Sequence, residues 1–230
     1  VKKLAHRADT RGVTPPRAEN GDALRSSAAV AAEDALIAAD RWALWSTLAR
    51  GLSHGLANAA QMLALEPLPA SARAEVLERL GIAIERLTAA HRPEMGPAIV
   101  SDVLADTQSV QRLQSGWPSS ELSLDVAPAL PALAIASGDL AHVLLALVTD
   151  AKQAAGDRRS AITLRAREAA AGVVITREVG SAAAERPSFD RHAGLLHVAR
   201  LLARRAGGEL VWGERANALC LELPEWRRRA

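Results

Sequence analysis

Between Ala38 and Leu63, apolar residues fall at positions 38, 42, 45, 49, 52, 56, 59 and 63, spacings of four and three that alternate without a break. Such a seven-residue repeat is the seam of a helix that packs in a bundle or coiled coil, and it commits this stretch to finding a helical partner. With Trp42, Ala49, Leu56 and Leu63 at heptad position a, and Ala38, Trp45, Leu52 and Ala59 at d, His54 falls at f, away from the seam. Arg50 and Asn58 stand one turn to either side of His54 and share its face. The small neighbours Gly51, Ser53, Gly55 and Ala57 leave room for another molecule to approach the imidazole. A lone histidine on a helix is most often a solvated surface residue, so its meaning rests on the rest of the chain.

The periodicity predicts one long helix from about Ser27 to Leu65, stopped by Glu66-Pro67-Leu68-Pro69, because proline lacks the amide hydrogen and crowds the preceding turn. A second helix is expected from about Ala70 to His91, with Leu77, Leu80, Ile84 and Leu87 as its stripe. The short connection makes the two helices antiparallel neighbours, a helical hairpin. Two helices leave part of each seam uncovered, so a homodimer closing a four-helix bundle is the expected assembly.

The bundle reading suits the composition. Of the 230 residues 49% are hydrophobic, much of that alanine, with five tryptophans, one phenylalanine and no tyrosine. A net charge of +2 is too small to point to nucleic acid, and the basic residues gather at the ends (Lys2, Lys3, Arg7, Arg11 and Arg17, then Arg227, Arg228 and Arg229). The single cysteine, Cys220, permits no internal disulfide. No apolar run is long enough to cross a bilayer and no signal peptide is evident, so a cytoplasmic protein without membrane insertion is expected. Residues 1–27, broken by Thr14-Pro15-Pro16 and Gly21, read as a flexible arm or a linker from an upstream domain.

After the hinge Arg92-Pro93-Glu94-Met95-Gly96-Pro97 the pattern becomes mixed. Helices are predicted over 98–113, 139–155 and 194–206, the last closed by Gly207-Gly208. Strands are predicted where apolar residues alternate, at Leu122/Leu124/Val126, Ile162/Leu164/Ala166, Val173–Thr176, Leu210/Trp212 and Leu219/Leu221/Leu223. The fold class is therefore α+β: an N-terminal hairpin over 28–93, then a sandwich over 97–226 with helices on one face of a mostly antiparallel sheet, and a basic tail over 227–230.

In this order the parts resemble a bacterial sensor histidine kinase, from its dimerisation and phosphoacceptor hairpin to its ATPase-type domain, over about residues 29–226. Ser53-His54-Gly55-Leu56-Ala57-Asn58 is similar to that family's phosphoacceptor motif at Ser53, His54, Leu56 and Asn58. The stretch from Ser137 to Ala151 resembles the helix through the family's N box, and Arg200–Leu210 resembles the last helix with its Gly-Gly turn. The resemblance implies His54 as phosphoacceptor, Asn58 as a residue positioning the ring or the receiver, and Arg50 as a ligand for phosphate oxygens. It also implies a homodimer and a response-regulator receiver domain as partners.

The sequence departs from the family on the ATP side. Where the family's N box has two asparagines for phosphate and magnesium, this chain has Ala146 and Asp150. The adenine-recognising Asp-x-Gly-x-Gly corresponds to Glu178-Val179-Gly180-Ser181-Ala182, the phosphate-cradling turn to Ala193-Gly194-Leu195-Leu196, and the acidic residue after the histidine to Gly55. Asp150, Glu178 and Gly180 are thus the candidates for a remnant nucleotide pocket, and no structural metal site is expected. The resemblance then implies a histidine phosphotransferase with a vestigial ATP-binding domain, needing no cofactor. The alternatives are an autokinase using ATP and magnesium, and a non-catalytic dimerisation scaffold.

Overall fold

The computed structural model describes residues 19–65, 69–71, 73–74, 76–78, 81, 96–113, 122–155, 160–180, 195–215 and 218–227. Helix α1 spans Glu19–Leu65. It includes residues before the expected Ser27 and reaches the expected Leu65, while Glu66, Pro67 and Leu68 lie outside the described residues. Described positions between 70 and 81 are helical as well, their first turn closed by the Arg73 amide donating to the Pro69 carbonyl at 3.0 Å. The chain divides into two compact units at Ala38/Ala39, within α1. In the first unit the described side chains belong to α1 alone, with Val30 and Leu36 exposed.

In the second unit, strand β1 (Pro97–Ala98) leads into α2 (Val100–Leu113), followed by β2 (Leu122–Val126), β3 (Leu133–Ala136) and α3 (Ser137–Ala155). The hairpin β4 (Ile162–Ala169) and β5 (Gly172–Val179) comes next, then α4 (Leu195–Arg205), β6 (Glu209–Trp212) and β7 (Ala218–Pro224). Among the described residues the main sheet has five strands in the order β2-β4-β5-β7-β6. The β2–β4 pair is parallel and the others are antiparallel, so the sheet is mostly antiparallel as expected. The small β1–β3 pair is an addition that the sequence pattern did not reveal, since two and four residues are too few for a period to register.

One face of this sheet carries the helices. Helix α3 packs between α2 and α4 and is apolar nearly all round, with Leu140, Val143, Leu144, Leu145, Leu147, Val148 and Ala151 all buried. From the sheet, Ile162, Leu164, Ala166, Val173, Ile175, Leu219, Leu221 and Leu223 complete that core. Helix α4 ends in the Gly207-Gly208 turn predicted for it. The Gly208 amide donates to the Ala203 carbonyl and the Gly207 amide to Arg204, while Gly207 takes φ +79°.

Candidate functional site

Residues 50–58 continue α1 as helix. Arg50, Ser53 and Ala57 are exposed, and the Ser53 hydroxyl donates back to the Ala49 carbonyl at 2.8 Å. The side chains of His54 and Asn58 lie outside the described residues, so for these two the structure supplies the helical register alone.

A different stripe of α1 is buried. Leu44 and Leu48 pack with Val110 of α2 and Leu145 of α3, and Trp45 and Leu195 border the cluster. Beside it, Asp40 Oδ2 lies 2.9 Å from Nε2 of the buried His142, and Arg41 donates to Asp139, both partners being on α3. The signal for this contact in the sequence was the acid-base pair Asp40-Arg41 at the head of a second apolar stripe. By contrast Trp42 is 75% exposed and Ala38 and Ala49 are exposed, so the heptad seam is not what α1 turns toward α3. At 3.6 residues per turn, positions 50, 54 and 58 centre at roughly 80° around α1 from the stripe through Asp40, Leu44 and Leu48.

On the ATP side, Ala146 and Asp150 occupy one face of α3 and both are buried. Asp150 Oδ2 accepts a 2.7 Å hydrogen bond from Arg177 of β5, and the two side chains are only 3% and 4% exposed. The same Arg177 nitrogen also reaches the Leu147 carbonyl at 3.4 Å, while the Arg177 Nε is buried without a partner among the described residues. Burial lowers the Arg177 pKa from its ordinary value, with the Asp150 carboxylate and its hydrogen bond opposing that shift. The carboxylate that the resemblance marks for magnesium is thus already neutralised by a cation of the chain itself. Ala146 offers no polar atom.

Strand alternation separates the other candidates from this pair. Val173, Ile175, Arg177 and Val179 are buried on the helix side, which sends Val174, Thr176 and Glu178 to the opposite face. There Glu178 accepts from Arg165 at 3.4 Å and pairs with Arg215 at 3.6 Å. Arg165 and Arg167 both bind Asp125, holding its carboxyl below the usual range. Asp150 and Glu178 are therefore not brought together. Gly180 extends the β4–β5 pairing, its amide donating to Ala161 at 2.8 Å. Ser181, Ala182, Ala193 and Gly194 lie outside the described residues. Arg177 escaped the sequence reading, although an arginine at an inward position of an alternating strand was the available signal.

Among the described residues no cluster of three or more His, Cys, Asp or Glu side chains is placed to hold a metal ion, and no helix is long and apolar enough to cross a membrane. No family model matches the chain, and no curated protein matches it. Among solved structures it is similar to the ATP-binding domain of PrrB from Mycobacterium tuberculosis, at 22% identity over 57% of this chain and 98% of that one, with a TM-score of 0.40. It is similar to the histidine kinase domain of the E. coli osmosensor EnvZ at 15% identity, over 60% and 96% of the two chains, with a TM-score of 0.45. A bacterial phosphotransferase matches over 83% of this chain and 95% of its own at 14% identity, with a TM-score of 0.46. It is to histidine kinase domains and to a phosphotransferase, then, that this chain is similar.

Proposed function

We propose that the chain is a two-component signalling protein that passes a phosphoryl group through His54, to or from a response-regulator aspartate, with little or no use of ATP. The observation that carries this reading is the buried Asp150–Arg177 pair, 2.7 Å apart, which leaves the N-box carboxylate no free charge to offer a divalent cation. Magnesium and nucleotide do not fit the residues present: Ala146 is apolar, Asp150 is committed, and Glu178 lies on the other face of the sheet. No step is therefore routed through them.

The chemistry requires only a neutral imidazole. A ring nitrogen of His54 attacks the phosphorus of the receiver's aspartyl phosphate, forming the P–N bond as the P–O bond to the aspartate carboxylate breaks. The ring then releases its proton to water, and the reverse transfer takes the proton back. Arg50, exposed one turn before His54, supplies charge-assisted hydrogen bonds to the phosphoryl oxygens, and Asn58 orients the ring or the receiver. The helical register supports an approach to this face by a partner. Positions 50, 54 and 58 centre on the far side of α1 from the heptad seam, and roughly 80° round from the stripe that α1 buries on α3. Within the single chain Trp42 and Leu77 are 75% and 55% exposed, apolar area that suits a second copy closing a four-helix bundle.

The test is labelling from two sources. Given a receiver domain charged with labelled acetyl phosphate, the protein takes up label and His54→Ala does not. Label taken directly from ATP, and lost in His54→Ala, identifies an autokinase instead; label from neither source leaves a scaffold.

A further inference from the structure

The phosphotransfer reading does not use the second buried stripe of α1, whose polar half has a specific geometry. Asp40 and Arg41, adjacent in sequence, meet His142 and Asp139, which lie three residues apart and so on one face of α3. A carboxylate thus meets an imidazole while, one residue on, a guanidinium meets a carboxylate. The apolar half, Leu44 and Leu48 against Val110 and Leu145, is non-directional and tolerates sliding or rolling of one helix on another. Directional pairs of this kind do not: a shift of one turn along either helix, or a roll by one residue, parts both. His142 is 3% exposed with its Nδ1 buried and unpartnered, so among the described residues its polar contact is the one that Asp40 supplies. Losing that contact leaves a fully unsatisfied buried ring, which makes the aligned position the favoured one.

We propose that His142 is a positioning residue: with Asp139 it pins α1 by Asp40 and Arg41, and so sets where His54, farther along the same helix, is presented relative to the C-terminal domain. This rests on the reading of His54 as phosphoacceptor. Position 54 lies 13 residues beyond Arg41 on a continuous helix, so a small roll or slide at the pin is carried to it in full. Misplacement of a reacting group by about 1 Å is enough to cost on the order of 100-fold in rate.

The test separates the pin from packing and from chemistry. His142→Leu keeps an apolar side chain of similar bulk but removes the bond to Asp40, whereas His142→Gln returns an amide nitrogen near the place of Nε2. A paired exchange, Arg41→Asp with Asp139→Arg, restores the second contact that either change alone destroys. Amide hydrogen exchange over residues 40–48 reads docking without reference to phosphate. His54 labelling by phosphoramidate reads the imidazole alone, and transfer from a receiver charged with acetyl phosphate reads presentation. His142→Leu is expected to exchange faster over 40–48, to label normally with phosphoramidate and to lose roughly tenfold or more in transfer from the receiver. His142→Gln and the paired exchange are expected to recover both docking and transfer. A His142→Leu variant with unchanged exchange and unchanged transfer overturns the proposal, as does failure of His142→Gln and the paired exchange to recover. If the unaltered protein takes no phosphate from any donor, the phosphoacceptor reading and the positioning role fall together, while hydrogen exchange still decides whether the pin exists.

Discussion

Removing Arg177 leaves the Asp150 carboxylate in the interior with no counter-charge, and the size of that effect follows from the geometry. The pair is 2.7 Å apart with side chains 3% and 4% exposed, so neither ion can recover its lost hydration by turning to solvent. Breaking a buried pair from one side costs about 3–5 kcal/mol, a large share of the roughly 5–15 kcal/mol that holds a typical domain together. Arg177→Met and Asp150→Leu should each fall in that range. Made together they remove both charges and return the site to hydrocarbon, and such replacements are often neutral or stabilising by about 1–4 kcal/mol. The double variant should therefore be more stable than either single one, with a coupling of at least about 2 kcal/mol. Urea unfolding followed by far-UV circular dichroism, with the slope checked for constancy across the four proteins, measures this directly. Single variants within about 1 kcal/mol of the unaltered protein would refute the account, because an Asp150 that does not need Arg177 is a carboxylate still open to a cation.

Four further outcomes follow from the same structure. Leu48→Ala, at a side chain 1% exposed in the α1–α2–α3 cluster, should cost about 2–5 kcal/mol in urea unfolding and should loosen α1 before the sheet in hydrogen exchange. Gly207→Ala, at φ +79°, should cost about 1–2 kcal/mol by forcing a side chain into the left-handed region. Gly208→Ala should cost more in the same assay, since its Cβ would stand 2.1 Å from the Glu222 carbonyl oxygen and part β6 from β7. Asp125 is held below its ordinary pKa first by the Arg167 hydrogen bond and then by Arg165, so its stabilising contribution is present above the unfolded value of about 3.9 and is lost as pH falls through the lower folded value. The melting temperatures of the unaltered protein and Asp125→Asn should differ by a constant amount above about pH 5 and converge below about pH 4.

Much of the C-terminal fold was legible because its elements are long enough for a period to register. The alternation of Ile162, Leu164 and Ala166 fixed which face of β4 is buried, and the Gly207-Gly208 pair fixed the end of α4. The pattern failed where the deciding partner is distant in sequence. The heptad seam is the strongest signal in α1, yet the stripe buried in the single chain is the one through Leu44 and Leu48, chosen by α2 and α3 more than 60 residues away. Asp150 was legible as an acid at the N-box place. Its neutralisation was not, since Arg177 lies 27 residues on and becomes its neighbour only through the register of β5. Glu178 illustrates the cost of a one-residue difference in a strand: it shares a motif with Gly180, but its side chain faces away from Asp150.

The central claim is that His54 takes its phosphoryl group from a receiver and not from ATP. Phosphoramidate-linked label on His54, located by mass spectrometry after incubation with either γ-labelled ATP and magnesium or a receiver charged with acetyl phosphate, tests it most directly. The account predicts label on His54 from the charged receiver, none from ATP, and none from either in His54→Ala. Label on His54 from ATP, in a protein whose Asp150 is still paired with Arg177, would contradict it.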